Sequence, residues 1–275
     1  MNKTSVEVTA GNAPRFVLLC HQRSGSNALS SIMPAAGIKL YGQLFNPSWE
    51  KHSANLRNLG LPSFRPPGHA MLHYGNRPLL RYRLSHLRAR LAGRERDLDD
   101  FMSRFWDRFH REVDVARGFK LHDFQLSDAD MTRLLDKHVD KAIILHRRNL
   151  LKAAVSWGYA LQTGIWVKRG RSGTELPTKR LDIAELAWFM EKTATEVERW
   201  RKLTSAVGLP TLELVYEDDI ATRDFAPIFD FLDHPVDGDL DFATRRIAAP
   251  DYPHIANARE IDRALGSEPT GRLFD

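Results

Sequence analysis

Arg15-Phe16-Val17-Leu18-Leu19-Cys20-His21-Gln22-Arg23-Ser24-Gly25-Ser26-Asn27-Ala28-Leu29 passes from a strand pattern through a short turn into a helical one. Its first part is an apolar run of the kind that fills a strand buried on both faces. A short polar turn with one glycine follows, and a helical pattern begins at once. Strand, turn and helix in succession bring free backbone N–H groups and the positive end of a helix dipole to one place, which suits a phosphate-like anion. The turn is not a Walker A loop, which reads G-x-x-x-x-G-K-[ST] and supplies a lysine to the phosphates and a hydroxyl to Mg²⁺. Here Arg23 stands where a cation is wanted, followed by Ser24-Gly25-Ser26. The plainer reading of Arg23 is a solvated turn residue.

The same pattern returns at Lys141-Ala142-Ile143-Ile144-Leu145-His146-Arg147-Arg148-Asn149. An apolar strand at 141–146 ends in basic residues, a helix follows over 149–163, and Ser156 lies eight residues after Arg148. Around these two units the apolar periods predict a strand at 15–21, a helix at 27–36 closed by Gly37, and an extended piece at 38–45. Helices are expected at 77–92 and 97–112, the second with a stripe of Phe101, Phe105, Phe109 and Val113. A strand at 117–122 precedes a helix N-capped by Ser127 and running to about Lys137. Asp182 with Glu185 resembles a capping box, opening a long helix to Val207 with Ile183, Ala187, Met190, Ala194 and Val197 on one face and Gly208 ending it. A strand at 211–216 and a helix at 219–232 complete the regular part, and the tail from 233 onward is polar. Residues 46–76, rich in Pro, Gly, Asn and His, and the basic stretch 167–180 read as loops, of the kind that often carry function. Strands alternating with helices predict an α/β fold, a P-loop-like parallel sheet flanked by helices. The simplest division is a disordered lead at 1–14 and a single domain at 15–275.

Composition narrows the function classes less than the motifs do. The chain has 275 residues with 40 Lys and Arg against 35 Asp and Glu, a net charge of +5. That excess fits an anionic ligand, and also a membrane surface or nucleic acid, so it does not choose among them. The one cysteine, Cys20, lies inside the first strand, can form no internal disulfide and reads as a small buried filler. Residues 1–14 contain no apolar h-region, and no run approaches 18 apolar residues. A cytoplasmic protein is therefore expected, with peripheral membrane contact left open. The histidines, including His21, His69 and His73, lack metal-ligand spacing with Cys or carboxylates, so no metal site is expected. The arginine-rich segment 77–96 reads as a solvated helix face more readily than as a site.

Taken in order, the two junctions resemble the nucleotide-binding signatures of sulfotransferases that use 3′-phosphoadenosine 5′-phosphosulfate (PAPS). Gln22-Arg23-Ser24-Gly25-Ser26 with Asn27 is similar to their 5′-phosphosulfate loop. Arg148-Asn149 with Ser156 is similar to their 3′-phosphate site, an Arg followed eight residues later by a Ser. Ala154-Val155-Ser156-Trp157 and Ala160-Leu161-Gln162-Thr163-Gly164-Ile165-Trp166 are most similar to the bacterial branch that sulfates glycans and glycolipids, which includes trehalose and nodulation-factor sulfotransferases. The resemblance spans residues 15–46 and 117–220. It implies sulfuryl transfer from PAPS to a hydroxyl of a carbohydrate or glycolipid acceptor, releasing PAP (3′-phosphoadenosine 5′-phosphate), without a metal and with no nucleic acid as partner. Relatives are often dimers, which admits a homodimer, although no self-complementary patch stands out in the sequence.

Within that resemblance Arg23 and the backbone of Ser24 to Asn27 would grip the 5′ side, and Arg148 and Ser156 the 3′-phosphate. Trp157 would stack on adenine or, on the plainer reading, fill the core. Arg147 follows an extended strand, where neighbours point to opposite sides, and is the weaker candidate.

The general base is less direct. Glycan-sulfating relatives carry a Glu after the first helix in a Gly-Glu-x-x-Asn-like context, whereas this chain reads Tyr41-Gly42-Gln43-Leu44-Phe45-Asn46. Gln43 cannot act as a base near neutral pH and could only orient the acceptor. Lys120-Leu121-His122 resembles the Lys-x-His element of the cytosolic small-molecule sulfotransferases, where the His is the base and the Lys aids the bridging oxygen, and His122 lies 26 residues before Arg148. Residues i and i+2 of a strand share a face, so both side chains could enter one site. The plainer reading is a structural His at a strand end, and Asp123 is a third option. Tyr216-Glu217-Asp218 matches an element common in these enzymes and reads as support for the loop, while Arg245 and Arg246 are candidates to close over the nucleotide. Two rivals remain: a P-loop-type small-molecule kinase, and a nucleotide- or glycan-binding protein without turnover.

Overall fold

In the computed structural model the apolar run Arg15–Cys20 is strand β1, in the middle of a five-stranded sheet whose strands are all parallel. The structure describes residues 13–45, 97–110, 115–122, 125–166, 176–234, 236, 252–267 and 271–274. The expected loop at 46–76, the helix at 77–92, most of the 167–180 loop, Arg245 and Arg246, Asp123, Val113, the Phe109 side chain and residues 1–12 lie outside these.

The other strands are β2 (Lys39–Gln43), β3 (Arg117–Leu121), β4 (Lys141–His146) and β5 (Thr211–Val215), in the spatial order β2-β3-β1-β4-β5. The helices are α1 (Ser26–Ala35), α2 (Leu98–His110), α3 (Asp128–Lys137), α4 (Leu150–Thr163), α5 (Ile183–Ala206), α6 (Ala226–Phe231) and α7 (Ala258–Leu265). The fold is α/β and compatible with a P-loop-like arrangement.

Alternate residues of a strand face opposite sides, and β1 shows it in its packing. Val17 and Leu19 join a cluster with Phe119, Ile144 and the buried faces of α2, α3 and the second half of α5. Phe16, Leu18 and Cys20 face the other way, against Leu29, Ile32 and Met33 of α1 and Ile228 and Phe229 of α6. Cys20 is buried, as its place in the strand implied. A third cluster joins α4, the first half of α5 and α7.

Local signals behave as expected at several helix ends. Ser127 accepts from the Asp130 amide, and Asp182 accepts from the Ala184 and Glu185 amides. Gly37 and Gly208 follow α1 and α5 in the left-handed region.

Three expectations need correction. The buried face of α5 is Leu186, Phe189, Met190, Thr193, Val197, Trp200 and Thr204, and Ala194 is exposed. The large Trp200 and Leu186 set the rotation of the helix, and small alanines carry too little apolar surface to compete. The single helix expected at 219–232 is instead a π-turn, Tyr216–Ile220, followed by α6. Asp219 turns back to accept from the Val215 amide, the Ala221 amide bonds to the Tyr216 carbonyl, and Arg223 takes a positive φ of 64° that ends the turn. The polar tail contains a helix, α7, whose apolar side is little more than Ala258 and Ile261, too short a stripe to stand out in the sequence.

No helix among the described residues is long and apolar enough to cross a membrane.

Candidate functional site

The chain leaves β1 towards β2 at one edge of the sheet and leaves β4 towards β5 at the other. Such a divergence opens a crevice beyond the carboxyl ends of the strands, where open α/β sheets bind ligands. Residues 21–25 and 146–149 flank it.

The first junction is built as an anion cradle. Gly25, the N-cap of α1, has a φ of 94°, and the Tyr216 ring lies where a side chain on residue 25 would be, 2.3 Å from an ideal Cβ. Only glycine fits, for both reasons. Whereas α3, α4 and α5 start on the capping side chains of Ser127, Asn149 and Asp182, α1 has no side-chain cap and no acid in its first turn. Its leading N–H groups and dipole are left to a ligand or solvent. Ser24 is fully buried, and its hydroxyl has no partner among the described residues. Ser26 and Asn27 receive Lys120 from the neighbouring strand: Nζ donates to Ser26 Oγ at 3.4 Å and to Asn27 Oδ1 at 3.3 Å. A lysine thus reaches the first turn of the helix from β3 rather than from the loop itself.

Arg23 joins this junction to the second. With a φ of 67°, it donates from Nε to Ser156 Oγ at 2.8 Å and from Nη1 to the Trp166 carbonyl at 2.6 Å. No carboxylate among the described residues pairs with it. Burial, and then repulsion from Arg147, push its pKa below the ordinary guanidinium value. Arg23 remains a cation, so its charge is left for an anion to balance.

The second junction is held by the π-turn. Glu217 accepts from the Arg148 amide at 2.9 Å and the Asn149 amide at 3.4 Å, and pairs with Arg147 at 3.3 Å. Burial acts to raise the Glu217 pKa, but the amide bonds and the Arg147 charge outweigh it and hold the carboxyl below its ordinary range. Arg147 also lies over the Tyr216 ring, 4.4 Å from its centroid. Tyr216 therefore touches both junctions, and Glu217 holds the second.

Several expected site residues stand apart from one another. Arg148 points outward, with its side chain 61% exposed and paired to Asp218, and Ser156 is bonded to Arg23 rather than to Arg148. Trp157 is only 4% exposed and stacks on Phe189 at 4.7 Å, in the place of a core aromatic. The Gln22 side chain is half-buried beside the cradle.

Lys120 and His122 are both buried at the end of β3. His122 Nε2 lies 4.0 Å from Cys20 Sγ. Burial, reinforced by the Lys120 charge, pushes the His122 pKa down to about 3, and burial pushes that of His21 down to about 4. Burial also lowers the Lys120 pKa. Gln43, at a bulge in β2, accepts from Gln125 Nε2 at 3.5 Å, while Gln125 Oε1 accepts from the His122 amide at 3.0 Å. Gln125, which the sequence did not single out, connects the two candidate catalytic positions. Trp166, whose carbonyl holds Arg23, was visible only as part of a motif. Among the described residues no group of three or more His, Cys, Asp or Glu side chains is placed to hold a metal ion.

No protein-family model matches this chain, and no curated protein does.

Proposed function

We propose that this chain is a PAPS-dependent sulfotransferase that acts on a hydroxyl of a carbohydrate or glycolipid acceptor and releases PAP. The observation that carries the reading is the Arg23–Ser156 hydrogen bond. It joins the loop assigned to the 5′-phosphosulfate to the helix assigned to the 3′-phosphate across one crevice.

The cradle fits such a co-substrate. An uncapped helix start, the buried Ser24 hydroxyl and a guanidinium without a carboxylate partner among the described residues favour a multiply charged anion. In this reading Arg23 and the amides of Ser24 to Asn27 bind the 5′ end. Lys120, already at Ser26 and Asn27, neutralises charge on the leaving phosphate oxygen. Arg148 exchanges Asp218 for the 3′-phosphate, an inexpensive exchange at so exposed a pair.

In the transfer itself the acceptor oxygen bonds to sulfur, the bond from sulfur to the bridging oxygen breaks, and the acceptor proton leaves. His122 takes that proton. Burial keeps it neutral at pH 7, as a base must be, and an anion beside Lys120 offsets the repulsion that lowers its basicity. Gln43 orients the acceptor hydroxyl.

A second reading, a nucleotide-binding protein without turnover, draws on the burial of His122 and the amide at position 43. Incubation with PAPS and a panel of glycans and glycolipids, with PAP release as readout, separates the two. Acceptor-dependent PAP release that His122→Ala abolishes supports the enzyme. Release that survives His122→Ala removes His122 as base, and none with any acceptor favours the silent binder.

A further inference from the structure

Beside the second junction lies a groove of about 1150 Å³, lined by α7, the segment 252–257 before it, Arg180, Arg272 and Phe274. It is larger than most small-molecule sites, which run ~300–1,000 Å³, so it suits an extended ligand. Arg180, Arg259, Arg263 and Arg272 line it, together with Glu260 and Asp262. Arg180 pairs with Glu260, and Asp262 Oδ1 accepts from the Leu273 amide at 2.7 Å. Arg259, Arg263 and Arg272 are exposed and have no carboxylate partner among the described residues. Arg259 stands in the first turn of α7 beside Glu260, and Arg263 stands in the last turn, where the helix dipole favours a cation.

Two aromatic rings line the groove, an exposed Phe274 and a buried Tyr252. Tyr252 and Phe274 meet edge to face, with centroids 6.4 Å apart. Phe274 is the one large hydrophobic side chain that is well exposed among the described residues, at 47%. Tyr252 holds a φ of 46°, in the left-handed region that bulky residues seldom adopt. The groove is also tied to the nucleotide side of the crevice. Asn149 Nδ2 donates to the Arg272 carbonyl at 2.8 Å, and an ideal Cβ on Gly271 would stand 2.5 Å from Asn149 Cγ.

We infer that this groove binds an anionic carbohydrate chain, one bearing carboxylate or sulfate groups. Guanidinium forks match the planar carboxylate and the sulfate oxygens, and an exposed ring face packs against a sugar ring. A flat lipid surface does not enter a concave groove. Single-stranded nucleic acid is served by successive stacking platforms, and here one ring covers the edge of the other.

The test is calorimetric titration with a heparin-derived hexasaccharide, a hyaluronan hexasaccharide and maltohexaose, with PAP titrated in parallel. The anionic chains are expected to bind and the neutral one not. The double variant Arg259→Ala/Arg263→Ala should lose at least tenfold in affinity for the anionic chains and keep its PAP affinity. The control Arg104→Ala/Lys202→Ala, which removes two exposed cations elsewhere, should keep both affinities. Equal losses in the two variants, unaltered binding in the groove variant, or a preference for oligonucleotides or phosphatidylserine vesicles would overturn the inference. Loss of PAP binding by the unaltered chain would instead count against the sulfotransferase reading alone.

Discussion

Arg23 donates to the hydroxyl of Ser156 across 133 positions of sequence, and that bond makes one crevice of two strand-to-helix junctions. The guanidinium spends its other contact on the Trp166 carbonyl. Lysine at this position keeps the charge but cannot reproduce the fork. Arg23→Ala should weaken PAP binding by about 100-fold, the scale of a lost charge-assisted bond of ~1.5–3 kcal/mol. Arg23→Lys should fall between Ala and wild type. Calorimetry with PAP reads both.

The acids of the π-turn should give opposite results. Glu217 holds two backbone amides and Arg147. Glu217→Ala is expected to destabilise the fold by ~1–3 kcal/mol, measured by urea unfolding, because it leaves polar partners unsatisfied. Asp218 holds only the exposed Arg148 side chain. Asp218→Asn should leave the urea midpoint unchanged and tighten PAP binding, since Arg148 no longer has to exchange partners.

The buried histidines predict a pH dependence with a definite sign. His21 and His122 titrate at about 4 and about 3 in the folded chain, below the ordinary 6.5. The unfolded state therefore binds the extra protons first as pH falls, so stability is lost on acidification. Between pH 7 and 5 each should cost about 2 kcal/mol. Urea midpoints at the two pH values check this, and His122→Asn should remove about half of the difference.

Gln125 is a positioning residue in this account. Gln125→Leu cuts both its bond from the His122 amide and its bond to Gln43. Turnover should drop roughly tenfold with PAP affinity unchanged, as misplacement of reacting groups predicts. A matching loss of PAP affinity would mean that the effect is structural.

Much of the fold was legible in the sequence because the deciding elements are buried strands with sharp ends. Phe16 to Cys20 and Ala142 to Leu145 are continuous apolar runs, and Ser127 and Asp182 announce their helices by short-range capping. The candidate site was legible only as two separate loops. The Arg23–Ser156 bond, the Tyr216 ring over Gly25 and the Gln125 bridge depend on packing between segments far apart in the chain. Local pattern carries none of that. Trp157 shows the reverse: a motif position drew attention to a ring that Phe189 covers. The helix α7 escaped because charged residues dominate its eight positions.

Titration calorimetry with PAP, compared with ATP and ADP and with and without Mg²⁺, tests the central claim most directly. Micromolar or tighter PAP binding without metal is expected, lost in Arg148→Ala. A preference for Mg·ATP, or no binding of any of the three nucleotides, would contradict it.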